Sequence, residues 1–195
     1  FYYNKKFKKK HNHIIFHLKN SVDLIYNDVR RFGFMKVLEI DKIKFNQHIS
    51  KLGPEPLSKN FNFSYLKSKI IKSKRNVKNF LMDQKYVSGL GNIYVNEILF
   101  SCSINPLKQV NKLSNEQVAK IVLKTKKTLN LSIQLGGSSI KDFNGTSGQN
   151  GTYQQKFMVY DRINKFCRKK KCIGSVKKVY INKRSTFFCT KCQNN

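Results

Sequence analysis

Four cysteines near the end of the sequence have the types and spacing to do chemistry. Cys167, Cys172, Cys189 and Cys192 fall as C-x4-C, sixteen residues, then C-x2-C. Two short-spaced thiol pairs separated by a strand-turn-strand stretch, "SVKKVYINKRSTFF", suit a tetrahedral four-thiolate zinc site on a β-hairpin, so one Zn2+ per chain is expected. About forty residues bury too little apolar surface to fold alone, which gives a metal staple a physical purpose. Four thiolates on one dication leave an excess of negative charge, and Arg168, Lys169, Lys170 and Lys171 stand between the first pair to offset it. The competing reading is four unrelated reduced thiols. Cys102, in the apolar stretch "EILFSCS", reads as a small core residue.

A second group is "DVRRFG", Asp28 to Gly33, on a loop between two expected strands. Arg30 and Arg31 beside Phe32 can grip phosphates while the ring wedges into a base stack. A salt bridge to Asp28 with a buried Phe32 weighs equally against that. A third is "SGLGNIY", whose backbone amides and Asn92 at a helix start favour an anion; alone, such a turn is a weak signal. "HNH" at His11 to His13 has the wrong spacing for a nuclease and reads as partly buried strand histidines.

Composition narrows the partners. A formal charge of +29 on 195 residues points to nucleic acid, because Lys and Arg neutralise phosphates and release counterions. Only six of the 39 basic residues are Arg, and the Lys, Asn, Ile, Phe and Tyr excess is also what an A+T-biased coding sequence produces. The arginines are therefore the more informative cations. No apolar run is long enough to cross a bilayer and the start lacks a signal-peptide core, so a cytoplasmic protein with its thiols reduced is expected.

The elements that must position these residues follow from the pattern. Residues 12–40 alternate and read as a β-meander of three strands, "HNHIIFHL", "VDLIY" and "FGFMKVLEI". "LGPEPLS" marks the boundary to a helical region. There "SYLKSKIIKSK", "VKNFLMDQKY" and "NIYVNEILFSCS" give helix, then helix, tight turn, helix, with Asn92 as the expected cap of the last. "SNEQ" at Ser114 to Gln117 is a capping box opening a long helix that "GG" ends near Leu135. "NGTSGQNGT", residues 144–152, has the composition of a mobile loop, and "QKFMVY" reads as a strand before the cysteines. The chain opens on Phe1 as if inside a domain, so an N-terminally truncated α+β protein is expected. Its parts are a partial N-terminal β region at 1–51, a helical region at 52–135, a loop region at 136–156 and a zinc hairpin at 157–195.

"DVRRFG", "LGPEPLS", "NFLMDQKYVSGLGNIYVNEILF", "INP", "GGSSIKDF", "VYDR" and "RSTFFCTKCQ" resemble, in order, the bacterial formamidopyrimidine-DNA glycosylases, over nearly the whole chain. "GNIY", "RRFG" and "GPEPL" favour this branch over the endonuclease VIII branch. The resemblance implies a remnant β-sandwich at 1–51, a helix-two-turn-helix DNA-binding domain at 52–135, a lesion-recognition loop region at 136–156 and a zinc-finger hairpin at 157–195, in a bacterial, nucleoid-associated monomer. It also implies base-excision repair of damaged double-stranded DNA: an oxidised purine, 8-oxoguanine or a formamidopyrimidine, is flipped out and excised, and the strand is cut by β,δ-elimination. By position, Arg30 and Phe32 would fill the void of the flipped base, with Arg31 on the backbone. Lys78 and Asn92, with Tyr94 as a weaker candidate, would hold phosphates, and so would Arg184. The loop containing Gly145, Ser147, Gly148, Gly151 and Tyr153 would close over the everted base. The family's nucleophile is the secondary amine of an N-terminal proline, followed by a glutamate, and neither has a counterpart here; its catalytic lysine and intercalating methionine are likewise missing. Val29, where the family usually has proline, and the x4 cysteine gap are smaller departures. The full-length protein is thus expected to be the enzyme and this chain inactive. The alternatives are a catalytically silent zinc-containing DNA-binding module and, on charge alone, a zinc ribbon for structured RNA.

Overall fold

The computed structural model describes residues 1–3, 10–138 and 150–194. Helices and strands are both present, in two compact units: residues 1–43 with 132–155, and residues 44–131 with 156–195.

In the first unit, β1 (Tyr2–Tyr3), β2 (Asn12–Leu18) and β3 (Val22–Asn27) form an antiparallel sheet in the order β1-β3-β2. The Lys19–Ser21 turn joins β2 to β3, with Ser21 at φ 55°. Across that hairpin Ile15 faces Ile25 and His17 faces Asp23, whose carboxylate lies 2.8 Å from the His17 ring nitrogen. The expected third strand, "FGFMKVLEI", does not form: the stretch is irregular and leads into a 3-10 helix at Ile40–Phe45. Alternating apolar residues need a neighbouring strand to pair with. Both edges of β3 are taken, by β1 and β2.

The second unit is built on helices. α1 (Phe63–Ile70) and α2 (Val77–Met82) are each capped by an asparagine: Asn62 accepts from the Tyr65 amide at 2.9 Å and Asn76 from the Asn79 amide at 2.8 Å. α3 (Asn92–Cys102) follows the turn at 83–91. Its cap is Gly91, not Asn92, because the Asn92 side chain is drawn away to another partner. Phe61, Leu66, Ile70, Val77, Phe80, Leu81, Val95, Ile98 and Leu99 join in one core. Each fully buried large side chain contributes about 1.5–3 kcal/mol. "LGPEPLS" is more than a boundary: Gly53 donates to the Gln84 carbonyl at 2.8 Å and Ser88 to the Pro54 carbonyl at 3.2 Å, which seats the segment on the interhelical turn. A Cβ on Gly53 would come within 2.5 Å of the Tyr86 backbone, so only glycine allows that approach.

α4 (Asn115–Gln134) opens on the expected capping box, with the Ser114 hydroxyl accepting from the Gln117 amide and the Gln117 side chain accepting from the Ser114 amide. Gly136 and Gly137, at φ 71° and 82°, end it and return their amides to Ile133 and Ser132. β4 (Val176–Ile181) and β5 (Arg184–Cys189) form the C-terminal hairpin. Its two-residue turn, Asn182 and Lys183, has positive φ at both positions, the geometry that matches strand twist. The strand expected at "QKFMVY" is instead a 3-10 turn at Tyr153–Lys156 followed by irregular chain. None of the helices among the described residues is long and apolar enough to cross a membrane.

Candidate metal centre and nucleic-acid interface

The four sulfurs of Cys167, Cys172, Cys189 and Cys192 lie within 4.8 Å of one another. Individual separations are 3.5 Å for Cys167 to Cys192, 3.8 Å for Cys172 to Cys189 and 3.1 Å for Cys172 to Cys192. Tetrahedral bonds of about 2.3 Å from one ion to four thiolates require sulfurs about 3.8 Å apart, so the donor set fits a metal. The knuckles are shaped by backbone amides that donate to sulfur: Lys169 to Cys167 and Cys192 to Cys189, both 3.4 Å. Gly174, unremarked in the sequence, is forced by this packing, because a Cβ there would sit 2.8 Å from the Cys189 sulfur. The looser x4 gap closes with Lys171 in the left-handed region at φ 61° and with the Cys167 amide donating to the Gly174 carbonyl at 2.8 Å.

The basic residues beside the knuckles divide into two kinds. Arg168 and Lys169 are not simply charge compensators. Arg168 donates to the Phe157 carbonyl at 2.7 Å, and the Lys169 ammonium bonds the Ser103 hydroxyl and lies 5.1 Å from the centre of the Phe100 ring. Lys170, Lys171 and Lys191 stay exposed and can offset thiolate charge. Cys102 stands apart in the core, its thiol pushed up to about 11 by burial.

Polar side chains of α2 and α3 fasten the hairpin. The Lys78 ammonium donates to the Ser185 carbonyl at 3.0 Å and to the Thr186 hydroxyl at 2.6 Å; the Asn92 amide donates to the same Ser185 carbonyl at 3.0 Å. Asn96 accepts from the Phe187 amide at 2.7 Å. Gln193 accepts from the Cys189 amide and donates to the Ile104 carbonyl. Lys78, Asn92 and Arg184, far apart in sequence, thus meet at one end of β5. Lys78 is not a surface cation, however. It is buried, its pKa lowered to about 8 first by that burial and then by the charge of Arg184, and its ammonium can reach a phosphate only by exchanging a protein partner. Asn92 is half-buried and Arg184 exposed, while Tyr94 packs against the helical core.

Glu97 escaped the sequence reading. Its carboxylate, buried on α3, accepts from the backbone amides of Met158, Val159 and Tyr160 at 2.9, 3.0 and 2.8 Å. Those amides cannot enter a sheet ladder, which is why "QKFMVY" is no strand. The available signal was an acid inside an otherwise uncharged helix, in a chain with ten acidic residues in all.

In the first unit, Asp28 organises the arginine loop. Its carboxylate accepts from the Arg30 amide at 3.0 Å, the Gly33 amide at 2.9 Å and the Tyr26 hydroxyl at 3.0 Å, and the Gly33 bond is foremost in holding it at about 2. Arg31 adopts φ 55°. Phe32 is 78% exposed with the Arg30 guanidinium 5.0 Å from its ring centre, so of the two readings weighed for this loop the buried ring is excluded. His13 lies 2.9 Å from the Asp28 carbonyl, and the cysteine cluster is the metal-capable group among the described residues. Gly145, Ser147 and Gly148 lie outside the described residues. Gly151 and Tyr153 do not belong to an open loop: both are buried, the Thr152 amide bonds the Leu135 carbonyl and the Tyr153 amide the Gly137 carbonyl. A Cβ on Gly151 would meet the backbone of Gly136 and Gly137.

Comparison with known proteins gives this geometry a lineage. The formamidopyrimidine-DNA glycosylase H2TH domain family matches residues 52–144. Formamidopyrimidine-DNA glycosylase of Oceanobacillus iheyensis is 40% identical over 187 residues, 96% of this chain and 66% of that protein; that of Bradyrhizobium sp. strain BTAi1 is 39% identical over 199 residues, 99% and 68%. A structure of Lactococcus lactis Fpg with an abasic-site-containing DNA is similar at a TM-score of 0.88 and 31% identity, covering 100% of this chain and 72% of that one. The chain spans about two thirds of the length of the curated relatives it matches. With identity at this level and coverage beyond two thirds of a relative, the chain belongs to the formamidopyrimidine-DNA glycosylase family.

Proposed function

We propose that the protein acts in base-excision repair as a DNA glycosylase and abasic-site lyase on oxidised purines, 8-oxoguanine and formamidopyrimidines. The residues described here would supply its grip on damaged duplex DNA. The convergence of Asn92 and Arg184 over buried Lys78 at one end of β5 carries this reading. A backbone phosphate there would meet an exposed guanidinium and a side-chain amide, with a second positive charge behind them in a low-dielectric setting. On the arginine loop, Phe32 would stack into the gap of the everted base while Arg30 and Arg31 meet the strand. The wedge needs an exposed ring on a rigid loop, and the three bonds to Asp28 provide the rigidity.

One Zn2+ on Cys167, Cys172, Cys189 and Cys192 would close the far end of the hairpin; its chemistry is structural, with all four positions taken by protein sulfur. The base-excision and strand-cutting steps belong to an N-terminal proline amine, and these 195 residues contain no such group. The 195-residue polypeptide is therefore expected to bind an abasic-analogue duplex more tightly than an intact one and to leave both strands uncut. A chain carrying the family's N-terminal proline is expected to form a covalent complex with 8-oxoguanine duplex on borohydride reduction. Equal affinity for the two duplexes, or no trapping with the proline in place, would sink the reading.

A further inference from the structure

Beside the Ser185 site lies a cleft of ≈ 190 Å3 lined by Arg75, Asn79, Met82, Asp83, Asn182 and Arg184. Two guanidiniums from opposite ends of the unit's sequence therefore face one small cavity. Arg75 is fixed on two sides. One nitrogen donates to the Asp83 carboxylate at 2.7 Å, and the guanidinium carbon lies 5.9 Å from the centre of the Tyr86 ring, itself stacked at 4.1 Å on buried Phe80. The other Asp83 oxygen accepts from the Lys85 amide at 3.0 Å. Both carboxylate oxygens are thus engaged, and a guanidinium has five N–H groups, of which this pair uses few.

We propose that this cleft binds a further backbone phosphate of the DNA, with Arg75 as its ligand and Asp83 as the residue that positions Arg75. The proposal rests on the DNA-binding reading given above and extends it by one phosphate. Charge favours an anion: Arg75 and Arg184 outnumber Asp83, and the Asn79 and Asn182 side chains add neutral donors of the kind that accompany phosphate. The fork shape matters as well, since a planar guanidinium held by a carboxylate and a ring loses little freedom on binding. An Arg75–Asp83 pair that only stapled the two ends of α2 would need no second guanidinium across the cleft.

The test measures binding of the 195-residue chain to a tetrahydrofuran-abasic duplex across a salt series, for the wild type, Arg75→Ala, Arg75→Lys and Asp83→Ala, with a melting temperature for each. Arg75→Ala is expected to weaken binding about tenfold at about 0.1 M salt, in line with loss of one charge-assisted contact. It is also expected to lower the slope of log K against log salt by about 0.9, the signature of one phosphate. Arg75→Lys should keep the slope and lose part of the affinity. Asp83→Ala should melt earlier yet bind as well as wild type or better, because it breaks the same bridge and leaves the guanidinium. Equal losses of affinity in Arg75→Ala and Asp83→Ala would show a structural staple and overturn the proposal, as would a wild-type slope in Arg75→Ala. A wild type that does not bind duplex at all would remove the functional reading along with it; a binding wild type with an indifferent Arg75 removes this proposal alone.

Discussion

Glu97→Ala should destabilise the second unit more than any surface charge could, and the size of the effect can be built bond by bond. The substitution strips three backbone amides of their acceptor, those of Met158, Val159 and Tyr160. Val159 is fully buried, so its bare amide costs about 1–3 kcal/mol. Met158 and Tyr160 are half-buried, and water can reach them after the change, which leaves about 0.5–1.5 kcal/mol each. Against this total of about 2–6 kcal/mol stands the desolvation of the carboxylate, which raises the Glu97 pKa and is relieved on its removal. A net loss of about 2–4 kcal/mol follows, or roughly 5–15 °C in melting temperature for a chain of this size. Glu97→Gln keeps one oxygen but turns an NH2 donor toward an amide donor, so it should fall between. Glu97 also gives a sign: with its pKa raised in the folded state, its contribution declines as pH rises through that raised value, and Glu97→Gln should lose that part of the slope. Urea unfolding followed by circular dichroism measures all three proteins. A loss below about 1 kcal/mol for Glu97→Ala would refute the accounting and leave the irregular course of 157–160 without its cause.

Lys78→Met should be close to neutral in stability at pH 7, within about 1 kcal/mol, because Ser185 keeps Asn92 as donor and a desolvated charge disappears. The folded-state pKa of about 8 lies below the ordinary lysine value, so wild-type stability gains from this group as pH rises from about 8 toward that value; thermal melts across the window should show the gain missing in Lys78→Met. Removing metal with a chelator, or substituting Cys189→Ala, should release one zinc per chain by metal analysis while the helical circular dichroism signal stays, and Gly174→Ala should weaken metal retention through its contact with the Cys189 sulfur. Phe32→Ala should leave the melting temperature unchanged, as its ring is exposed, and cut the preference for abasic over intact duplex about five- to tenfold, measured by fluorescence anisotropy.

What was legible in the sequence was legible because a local rule governed it. The capping box at Ser114, the glycine stop after α4 and the helix-turn-helix of α2 and α3 depend on residues within a few positions of one another. The cysteine spacing worked for a related reason: a hairpin brings its own two ends together, so the thiols converge without help from the rest of the chain. The failures were long-range. "FGFMKVLEI" alternates like a strand, yet the edge of β3 on which the next strand of a meander would pair is already held by β1. "QKFMVY" was read without Glu97, sixty residues upstream, claiming its amides. Lys78 was expected to hold phosphate, while as the second residue of α2 it is turned inward to Ser185 and Thr186 of β5, more than a hundred residues away in sequence.

These long-range bonds bear on how far metal loss reaches. β5 runs from Arg184, which faces phosphate in the proposed complex, to Cys189 of the proposed metal site; the two stand five positions apart, about 17 Å of strand. A hairpin held only by its metal would transmit metal loss along that whole length. This one is also gripped by groups that do not depend on the metal: Lys78 and Asn92 at Ser185, beside Arg184, and Asn96 at Phe187, midway along the strand. The neutral bonds contribute about 0.5–1.5 kcal/mol each, while the gain from the Lys78 bonds is offset by the cost of burying its charge. Metal removal should therefore fray the knuckles around Cys167 and Cys189 first and leave Arg184 largely in place, so the apo chain should lose less DNA affinity than Arg184→Ala does. The opposite order, with the apo chain the weaker binder, would mean that the polar fasteners are too weak to hold β5 and that the metal, not α2 and α3, sets the position of the arginine.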